Sequence, residues 1–359
     1  MNKFKFREEW DRLNKEGGYN EPFPEYVEII GKKIKNFMIS ENRKYQGATG
    51  NARGLLDALL EYINRSDLRD NKIERFIDNI NCILKFLLSV RLTSQVPLNT
   101  SFFIRKKLEM SELSSVEQAK EILRKEIEFH KTNYNKTEKT IANHFKTRII
   151  DRCESYGIDK LVIGSHCHSG VVRKAIINSK DYVKQVVIDK TEPEQQGILT
   201  AHELLKEGIP VKLINLSQYG HEFRTISLFM FGIDAVSADG VVLNKTGTRM
   251  IATLAKTKDL PVYFLGSTYK YARDTLLGGL VKVEQRQVEE KILFNHLKVD
   301  LSPYYGEDAK FNDNEDKPLL TVRFTAFDTT KPDFYDSVVS EVGFLSMREA
   351  FQIIWEEYL

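Results

Sequence analysis

The sequence is poor in cysteine and has no long apolar run. Only Cys82, Cys153 and Cys167 occur among its 359 residues, and none of them forms a C-x-x-C pair. An odd number of unpaired cysteines argues against a disulfide framework and is typical of reduced thiols. No apolar stretch approaches the roughly 20 residues that cross a bilayer, and the charged start MNKFKFREEW lacks the apolar centre of a secretory signal. We therefore expect a cytoplasmic protein without a membrane segment.

The sequence also lacks an excess of charge of either sign. Lysine and arginine together number 53 and aspartate and glutamate 51, which leaves a net charge of +2. Such a balance produces no large electrostatic field, so a nucleic-acid partner is not predicted. Hydrophobic residues at 42% and charged residues at 29% are typical of a globular protein, and the length suffices for two domains.

The periodicity of the apolar residues changes near residue 155. Before it, segments such as GLLDALLEYI and FIDNINCILKFLLSV repeat at helical spacing, and a long polar helix is predicted from the capping segment Ser114–Glu117 towards Cys153. After it, the short runs LVIGS, QVVID, VKLINL and VYFLG alternate with helical segments, a pattern of parallel strands covered on both faces. The predicted fold class is α/β, with an all-α N-terminal domain (1–155) and a Rossmann-like domain with a mainly parallel sheet (156–359). The acidic, turn-rich stretch 303–318 is expected to be an exposed loop.

Polar clusters follow four of the predicted strands. They are SHCHSG, EPEQQG, the segment containing Asp234, and STYK. In open parallel sheets, ligands bind beyond the carboxyl ends of the strands. The sequence therefore predicts one site where these clusters converge.

The segment SHCHSG allows several chemical interpretations. A metal site at His166 and His168 is disfavoured because no further motif supplies ligands. A hydrolase nucleophile at Cys167 is disfavoured because the flanking residues are not the glycines of a nucleophile elbow. A buried, inert thiol is the strongest alternative, although Cys167 lies in the polar turn and not in the apolar strand.

The segment NKTGT resembles the end of a phosphate-binding P-loop. Asn244 stands in place of the second glycine, however, and Gly240 is one residue too close, so a nucleoside triphosphatase is disfavoured. Asn244, Lys245 and a helix beginning at Thr246 would still suit a single phosphate.

Taken together, these segments resemble the motifs of one superfamily. The matching segments are SHCHSG, EPEQQG with TAHEL, GIDAVSADGVVLNKTGT, STYK and AFDTTKPDFYDSVVSEVGFLS. The superfamily unites the alpha, beta and delta subunits of initiation factor 2B, methylthioribose-1-phosphate isomerases and archaeal ribose-1,5-bisphosphate isomerases. The resemblance covers roughly residues 40–359. The segments HCHS, TYK and TLLGGLVKVEQRQ resemble the ribose-1,5-bisphosphate isomerases more than the methylthioribose-1-phosphate isomerases.

The resemblance implies a set of functional residues. In the isomerases a cysteine after the first strand and an aspartate before the G-x-x-x-N-K-x-G-T segment form the catalytic pair, which corresponds here to Cys167 and Asp234. The implied substrate-binding residues are Gln46, Gly47, Ala48, Arg91, Ser169, Gln196, Asn244, Lys245 and Lys270. No metal and no organic cofactor are implied.

The chain departs from the isomerase pattern at basic positions. Residues 46–48 read Gln-Gly-Ala where the isomerases have Arg-Gly-Ala, and Glu192–Pro193 replaces Arg-Pro. Where the isomerases have an Ala-Arg-Pro-Thr segment, residues 91–94 of this chain read Arg-Leu-Thr-Ser. A carboxylate in place of a guanidinium would repel a phosphate unless another cation substitutes, for which the candidates are Arg43, Lys44 and Arg53.

The expected function is that of an aldose–ketose isomerase acting on a ribose 1-phosphate, and the expected conversion is that of ribose 1,5-bisphosphate to ribulose 1,5-bisphosphate. A thiol and a carboxyl group whose pKa is raised by burial would supply the proton donor and acceptor that such a reaction needs. The alternative is a non-catalytic subunit, similar to initiation factor 2B, that binds initiation factor 2 and a sugar phosphate or nucleotide. The resemblance also implies a homodimer or a trimer of dimers, while the stripe of Phe351, Ile354 and Trp355 is expected to pack mainly inside the protomer.

Overall fold

The computed structural model describes residues 8, 10–12, 15, 22–35, 44–65, 72–283 and 325–358. The predicted loop at 303–318, most of the charged start and Arg43 lie outside the described residues. Within the described ranges, no helix is long and apolar enough to cross a membrane.

Helices make up the N-terminal part of the described chain. They are α1 (Glu25–Lys35), α2 (Gly47–Asn64), α3 (Ile73–Val90), α4 (Gln95–Met110) and α5 (Val116–Tyr156). Helix α5 begins where predicted, because the Ser115 side chain accepts a hydrogen bond from the Gln118 amide at 3.2 Å. It ends at Gly157, whose φ of 61° is the left-handed conformation that closes a helix.

The rest of the chain alternates strands and helices. The strands are β1 (Leu161–Ser165), β2 (Val183–Asp189), β3 (Val211–Ile214), β4 (Leu228–Gly232), β5 (Ala235–Val236), β6 (Val242–Lys245), β7 (Val262–Leu265), β8 (Phe327–Thr330), β9 (Ser337–Ser340) and β10 (Gly343–Leu345). The helices are α6 (Gly170–Asn178), α7 (Gln196–Lys206), α8 (Tyr219–Glu222), α9 (Thr248–Lys256) and α10 (Met347–Tyr358).

The main sheet is mostly parallel, as predicted. Its order is β10-β9-β7-β4-β1-β2-β3, and only the β9–β10 pair is antiparallel. The chain runs outward from β1 through β2 to β3 and then returns to β4 on the other side of β1. This reversal makes the carboxyl ends of β1 and β4 the switch point at which ligands bind in such sheets.

Alternate residues of the strands form two separate cores. On one face Ile163 and Met230 pack with the second half of α5, α6 and α7; on the other, Phe229 and Phe231 pack with α8, α9 and α10. The sheet is therefore covered on both faces, which explains why a central strand such as β4 is continuously apolar and fully buried.

Helix α5 belongs to both halves of the molecule. Leu123 and Ile127 lie in the core formed by the N-terminal helices, whereas Phe145 and Ile149 lie in a core of the α/β part. The predicted domain boundary between residues 155 and 156 stays a proposal. The helix that joins the two parts packs into the core of each.

Two expectations about local structure were wrong. Asn244 and Lys245 do not lie on a loop that feeds a helix at Thr246: they end strand β6 of a small antiparallel sheet, β5-β6-β8, and α9 begins at Thr248. In α10 the buried stripe is Ala350, Ile354 and Tyr358. Phe351 and Trp355 are 51% and 57% exposed and stack on each other, because they lie one position outside that stripe.

Candidate active site

A cleft of about 360 Å³ lies between the carboxyl ends of the strands and the N-terminal helices. Every residue predicted for the site lines it. They are Gln46, Gly47, Ala48, Arg91, Cys167, Ser169, Gln196, Asp234, Asn244, Lys245 and Lys270. Segments from the ends of β1, β2, β4 and β7 meet there, as the strand-end rule predicted.

Cys167 has an unusual backbone conformation in this cleft. Its φ of 67° is left-handed, which is rare for a residue other than glycine. The conformation is held by a hydrogen bond from the Cys167 amide to Thr191 Oγ1 at 3.0 Å. The thiol Sγ donates to Gln196 Oε1 at 2.8 Å. A strained turn that aims a thiol into a cleft is typical of functional sites.

The thiol of Cys167 is held in its protonated form. Burial raises the pKa of the Cys167 thiol to about 12, and the charge of Lys245 opposes this rise only in part. The negative charges of Asp234 and Glu194 raise the pKa further. Burial and these two negative charges therefore favour the protonated thiol over the thiolate at neutral pH.

Gln196 reaches the thiol because α7 begins directly against the end of β2. A Cβ on Gly197 would lie 1.8 Å from the carbonyl oxygen of Asp189. Only glycine permits this approach, and it places the Gln196 side chain beside Cys167.

Asp234 and Lys270 lie at the other edge of the switch point. Asp234 follows β4 by two residues and is half-buried, with its amide bonded to the Leu243 carbonyl at 2.8 Å. Lys270 Nζ donates to the Ile233 carbonyl at 2.5 Å. Burial lowers the pKa of Lys270, while the charge of Asp234 is the largest influence that opposes this. The charge of Asp234 therefore favours the charged ammonium form of Lys270.

The two histidines beside Cys167 are engaged by protein groups. His166 Nε2 donates to the Thr246 carbonyl at 3.0 Å, and its Nδ1 lies 2.5 Å from Asp189 Oδ1, with both side chains buried. Both ring nitrogens of His166 are thus occupied. Among the described residues, no group of three or more His, Cys, Asp or Glu side chains could hold a metal ion.

Both ring nitrogens of His168 are within hydrogen-bond distance of protein groups. Thr200 Oγ1 donates to the Cys167 carbonyl at 2.9 Å and therefore accepts from His168 Nδ1, also at 2.9 Å. Arg173 can only donate, so His168 Nε2, at 3.0 Å from Arg173 Nη1, is an acceptor. The ring connects α6 to α7 next to the thiol.

The N-terminus of α2 forms the wall opposite the strands. Gln46 is its N-cap residue, and residues 47–50 line the cleft. A helix N-terminus presents unpaired amide groups and a partial positive charge, which suits a phosphate. The Gln46 amide nitrogen Nε2 is buried and has no hydrogen-bond partner in the described structure. Of the cations considered as replacements for the missing arginine, Lys44 and Arg53 both line the cleft.

The other predicted residues occupy distinct positions on the walls. Ser169 precedes α6 and packs on Gly232, where an added Cβ would lie 2.7 Å from the serine. Asn244 Nδ2 donates to Thr248 Oγ1 at 2.9 Å. Arg91 follows the end of α3. Lys245 is 2% exposed, and its Nζ lies 2.5 Å from Glu194 Oε2.

Several lining residues were missed from the sequence. Helix α5 contributes Tyr134, Glu138 and Ile141, which lie on one face at spacings of four and three residues. That spacing was visible, but the strand-end rule does not consider a helix from the N-terminal part. Glu194 does not line the cleft but pairs with Lys245, which does; it was also missed, because nothing in the local sequence indicates its partner.

Comparison with known proteins agrees with this architecture. The profile of the Initiation factor 2 subunit family matches residues 44–347. The ribose 1,5-bisphosphate isomerase of Thermococcus kodakarensis is 28% identical over 339 residues, which is 92% of this chain and 94% of that protein.

Two solved structures share the fold. The translation initiation factor eIF-2B of Pyrococcus horikoshii has a TM-score of 0.67 at 20% identity, covering 90% of this chain and 97% of its own. The 5-methylthioribose 1-phosphate isomerase of the same organism has a TM-score of 0.65 at 18% identity, covering 92% of this chain and 87% of its own. At these identities the structures show the fold alone, whereas the profile match spans most of the chain. The chain belongs to the Initiation factor 2 subunit family.

Proposed function

We propose that this protein is an aldose–ketose isomerase that converts ribose 1,5-bisphosphate to ribulose 1,5-bisphosphate. The observation that carries the proposal is the meeting of a protonated thiol, Cys167, and a carboxylate, Asp234, at the switch point of a cleft suited to phosphate. The similarity to a ribose 1,5-bisphosphate isomerase over 92% of the chain supports this choice of substrate.

The proposed reaction needs one proton given and one taken. A sugar phosphorylated on its anomeric oxygen cannot open freely, so the bond between carbon 1 and the ring oxygen must break while that oxygen gains a proton. The hydrogen on carbon 2 moves to carbon 1, and the carbon 2 hydroxyl loses its proton to become the ketone. Because Cys167 is protonated at neutral pH, it is the donor, and Asp234 is the acceptor. The atoms balance without an oxidant or a metal.

The phosphates have complementary positions in the cleft. The first-turn amides of α2, the unpartnered Gln46 Nε2 and the guanidinium of Arg53 are donors for one phosphate. Gln46 can still donate a neutral hydrogen bond in place of the charged one that an arginine would give. At the strand side Lys270 provides positive charge, and Lys245 is a second cation that is paired with Glu194.

A second candidate function is that of a non-catalytic regulatory subunit that binds initiation factor 2. The pairing of Lys245 with Glu194 favours it, because a lysine needed for substrate phosphate already has an anionic partner. The fold does not separate the candidates, since it is shared with both an initiation factor and an isomerase.

We also propose a homodimer or a trimer of dimers as the assembly, on the resemblance of the motifs. A cytoplasmic location is proposed because Cys82, Cys153 and Cys167 are all free.

One assay tests the proposed activity. The purified protein is incubated separately with ribose 1,5-bisphosphate and with methylthioribose 1-phosphate, and ketose formation is measured. We expect ketose from the bisphosphate and little from the methylthio sugar. Binding of either sugar without any ketose would instead support the regulatory subunit.

A further inference from the structure

Among the described lysines and arginines that line the cleft and pair with a carboxylate, Lys245 is the least exposed, and its partner is Glu194. The side chains of Lys245 and Glu194 are 3% and 16% exposed, and their charged atoms lie 2.5 Å apart. Arg173 is paired with Glu203 and Lys174 with Glu138, but those two cations are 21% and 43% exposed. Solvent screens the latter pairs strongly and the Lys245 pair little. The charge of Lys245 is therefore largely neutralised before any ligand arrives.

Arg53, at the opposite wall, is in a different state. It donates to Asn135 Oδ1 at 2.8 Å and lies over the Tyr134 ring, and among the described residues it has no carboxylate partner. Among the described residues, the anion position at Arg53 and the N-terminus of α2 contains no carboxylate, whereas the position at Lys245 already contains one.

The turn between β2 and α7 explains how Glu194 reaches Lys245. Thr191 and Gln195 both have left-handed backbone conformations, with φ of 62° and 56°. The Thr191 amide donates to Asp189 Oδ2 at 2.6 Å, which fixes the start of the turn. The same turn brings Gln196 to the Cys167 thiol. Glu194, which lies in this turn, is therefore held in place by backbone constraints on both sides.

We propose that Glu194 is a specificity-determining residue that occupies Lys245 as an internal anion, so that a ligand phosphate reaches Lys245 only by exchanging with the Glu194 carboxylate. This inference rests on the proposed function for the class of ligand, a sugar phosphate. If Glu194 stays in place it repels the incoming phosphate, and if it leaves, an ion pair with little solvent screening is lost. Either route lowers the affinity for a phosphate at this position relative to an unpaired lysine.

The exchange also affects the thiol. The charge of Glu194 contributes to the raised pKa of Cys167, whereas the charge of Lys245 lowers it. A phosphate that replaces Glu194 leaves a negative charge beside Lys245, so the thiol stays protonated throughout. The exchange therefore lowers the affinity for a phosphate at Lys245 without changing the starting protonation state of Cys167.

The test compares phosphate binding in Glu194→Gln with the wild type. Glutamine keeps the size of the side chain and removes its charge, so Lys245 becomes available to the ligand. We expect the dissociation constants of inorganic phosphate and of ribose 1,5-bisphosphate, measured by calorimetry on the full chain, to fall roughly tenfold. Glu222→Gln is the matched control because Glu222 pairs with Lys212 at 2.9 Å outside the cleft. The dissociation constants of this control variant should equal those of the wild type.

A buried lysine without its partner can prevent folding, so a second variant is included. Glu194→Asp keeps the charge but shortens its reach, and we expect a smaller decrease in the same dissociation constants. Unchanged or weaker phosphate binding in the folded Glu194 variants would overturn the inference even if the wild type is an isomerase. Tighter binding in a protein that forms no ketose would support the inference while the proposed activity fails.

Discussion

At the scale of single residues, Cys167 combines backbone strain with an acid that is hard to ionise. A left-handed conformation costs a residue with a side chain about 1–3 kcal/mol, and the hydrogen bond to Thr191 Oγ1 offsets part of this. The conformation turns the thiol away from the apolar strand towards Gln196. A thiol that served only to fill space would need neither the strain nor the polar partner.

If Cys167 and Asp234 transfer the protons, Cys167→Ser and Asp234→Asn should each reduce turnover by at least about 10²–10⁴-fold and leave substrate binding nearly unchanged. Serine is too weak an acid to replace the thiol, and asparagine cannot exchange a proton at neutral pH. Because both groups serve one hydrogen transfer, the double variant should be scarcely slower than either single variant. Turnover is measured beside the melting temperature of each protein.

Cys153→Ser is the control, because Cys153 is buried at the end of α5 and does not line the cleft. It should lower stability but not the turnover of each folded molecule. A stable and fully active Cys167→Ser protein would contradict the isomerase mechanism and support the regulatory subunit.

At the scale of elements, the turn that carries Lys270 is held from the helical part of the molecule. Asn99, which is buried in α4, donates from Nδ2 to the carbonyls of Tyr269 and Tyr271, at 2.9 Å each. The Tyr269 hydroxyl lies 2.9 Å from His130 Nδ1 of α5. On the other side, Glu341 accepts from Thr268 Oγ1 at 2.8 Å. The position of Lys270 therefore depends on contacts between the two parts of the chain.

Asn99→Ala should both destabilise the protein and weaken substrate binding. Two buried carbonyls lose their donor, so we expect a loss of about 1–3 kcal/mol in the free energy of unfolding. Because Lys270 is displaced, KM should rise more than kcat falls. Denaturant unfolding and steady-state kinetics measure the two effects. Asn178→Ala removes an amide that bonds at the surface, and it should change neither value appreciably; equal effects from the two variants would contradict the positioning role.

At the scale of the whole molecule, the surface of α10 differs from the expectation of internal packing. Its buried stripe seals the core of the α/β part, while Phe351 and Trp355 form an exposed aromatic stack. Isolated exposed apolar residues are common, and two stacked rings do not by themselves identify an interface. The proposed assembly therefore rests on the family resemblance and not on this surface.

We expect light scattering at micromolar concentration to give at least twice the mass of one 41.5 kDa chain. The expected species are a dimer or a trimer of dimers, and their masses are distinguished by the same measurement. A monomeric mass across the micromolar range would remove the proposed assembly without affecting the proposed activity.

The sequence by itself determined the class of fold and the edge of the sheet at which the site lies. Apolar runs of four to six residues separated by helices indicate a parallel sheet covered on both faces, and polar residues after β1, β2, β4 and β7 must then share an edge. These features are local, so the pattern of a short segment is enough to predict them. Helix α5 was predictable for the same reason, from its own capping serine and periodicity.

Only the tertiary structure decided how the site is completed. Strand β6 could not be recognised because it pairs with β8, more than 80 residues later, and ends in the polar residues Asn244 and Lys245. The pairing of Lys245 with Glu194, 51 residues away, depends on how the β2–α7 turn packs against β6. The pKa of Cys167 depends on burial and on charges from distant segments. Local patterns determine which residues reach the edge of the sheet, but the charge that each one carries there is determined by neighbours that only folding brings together.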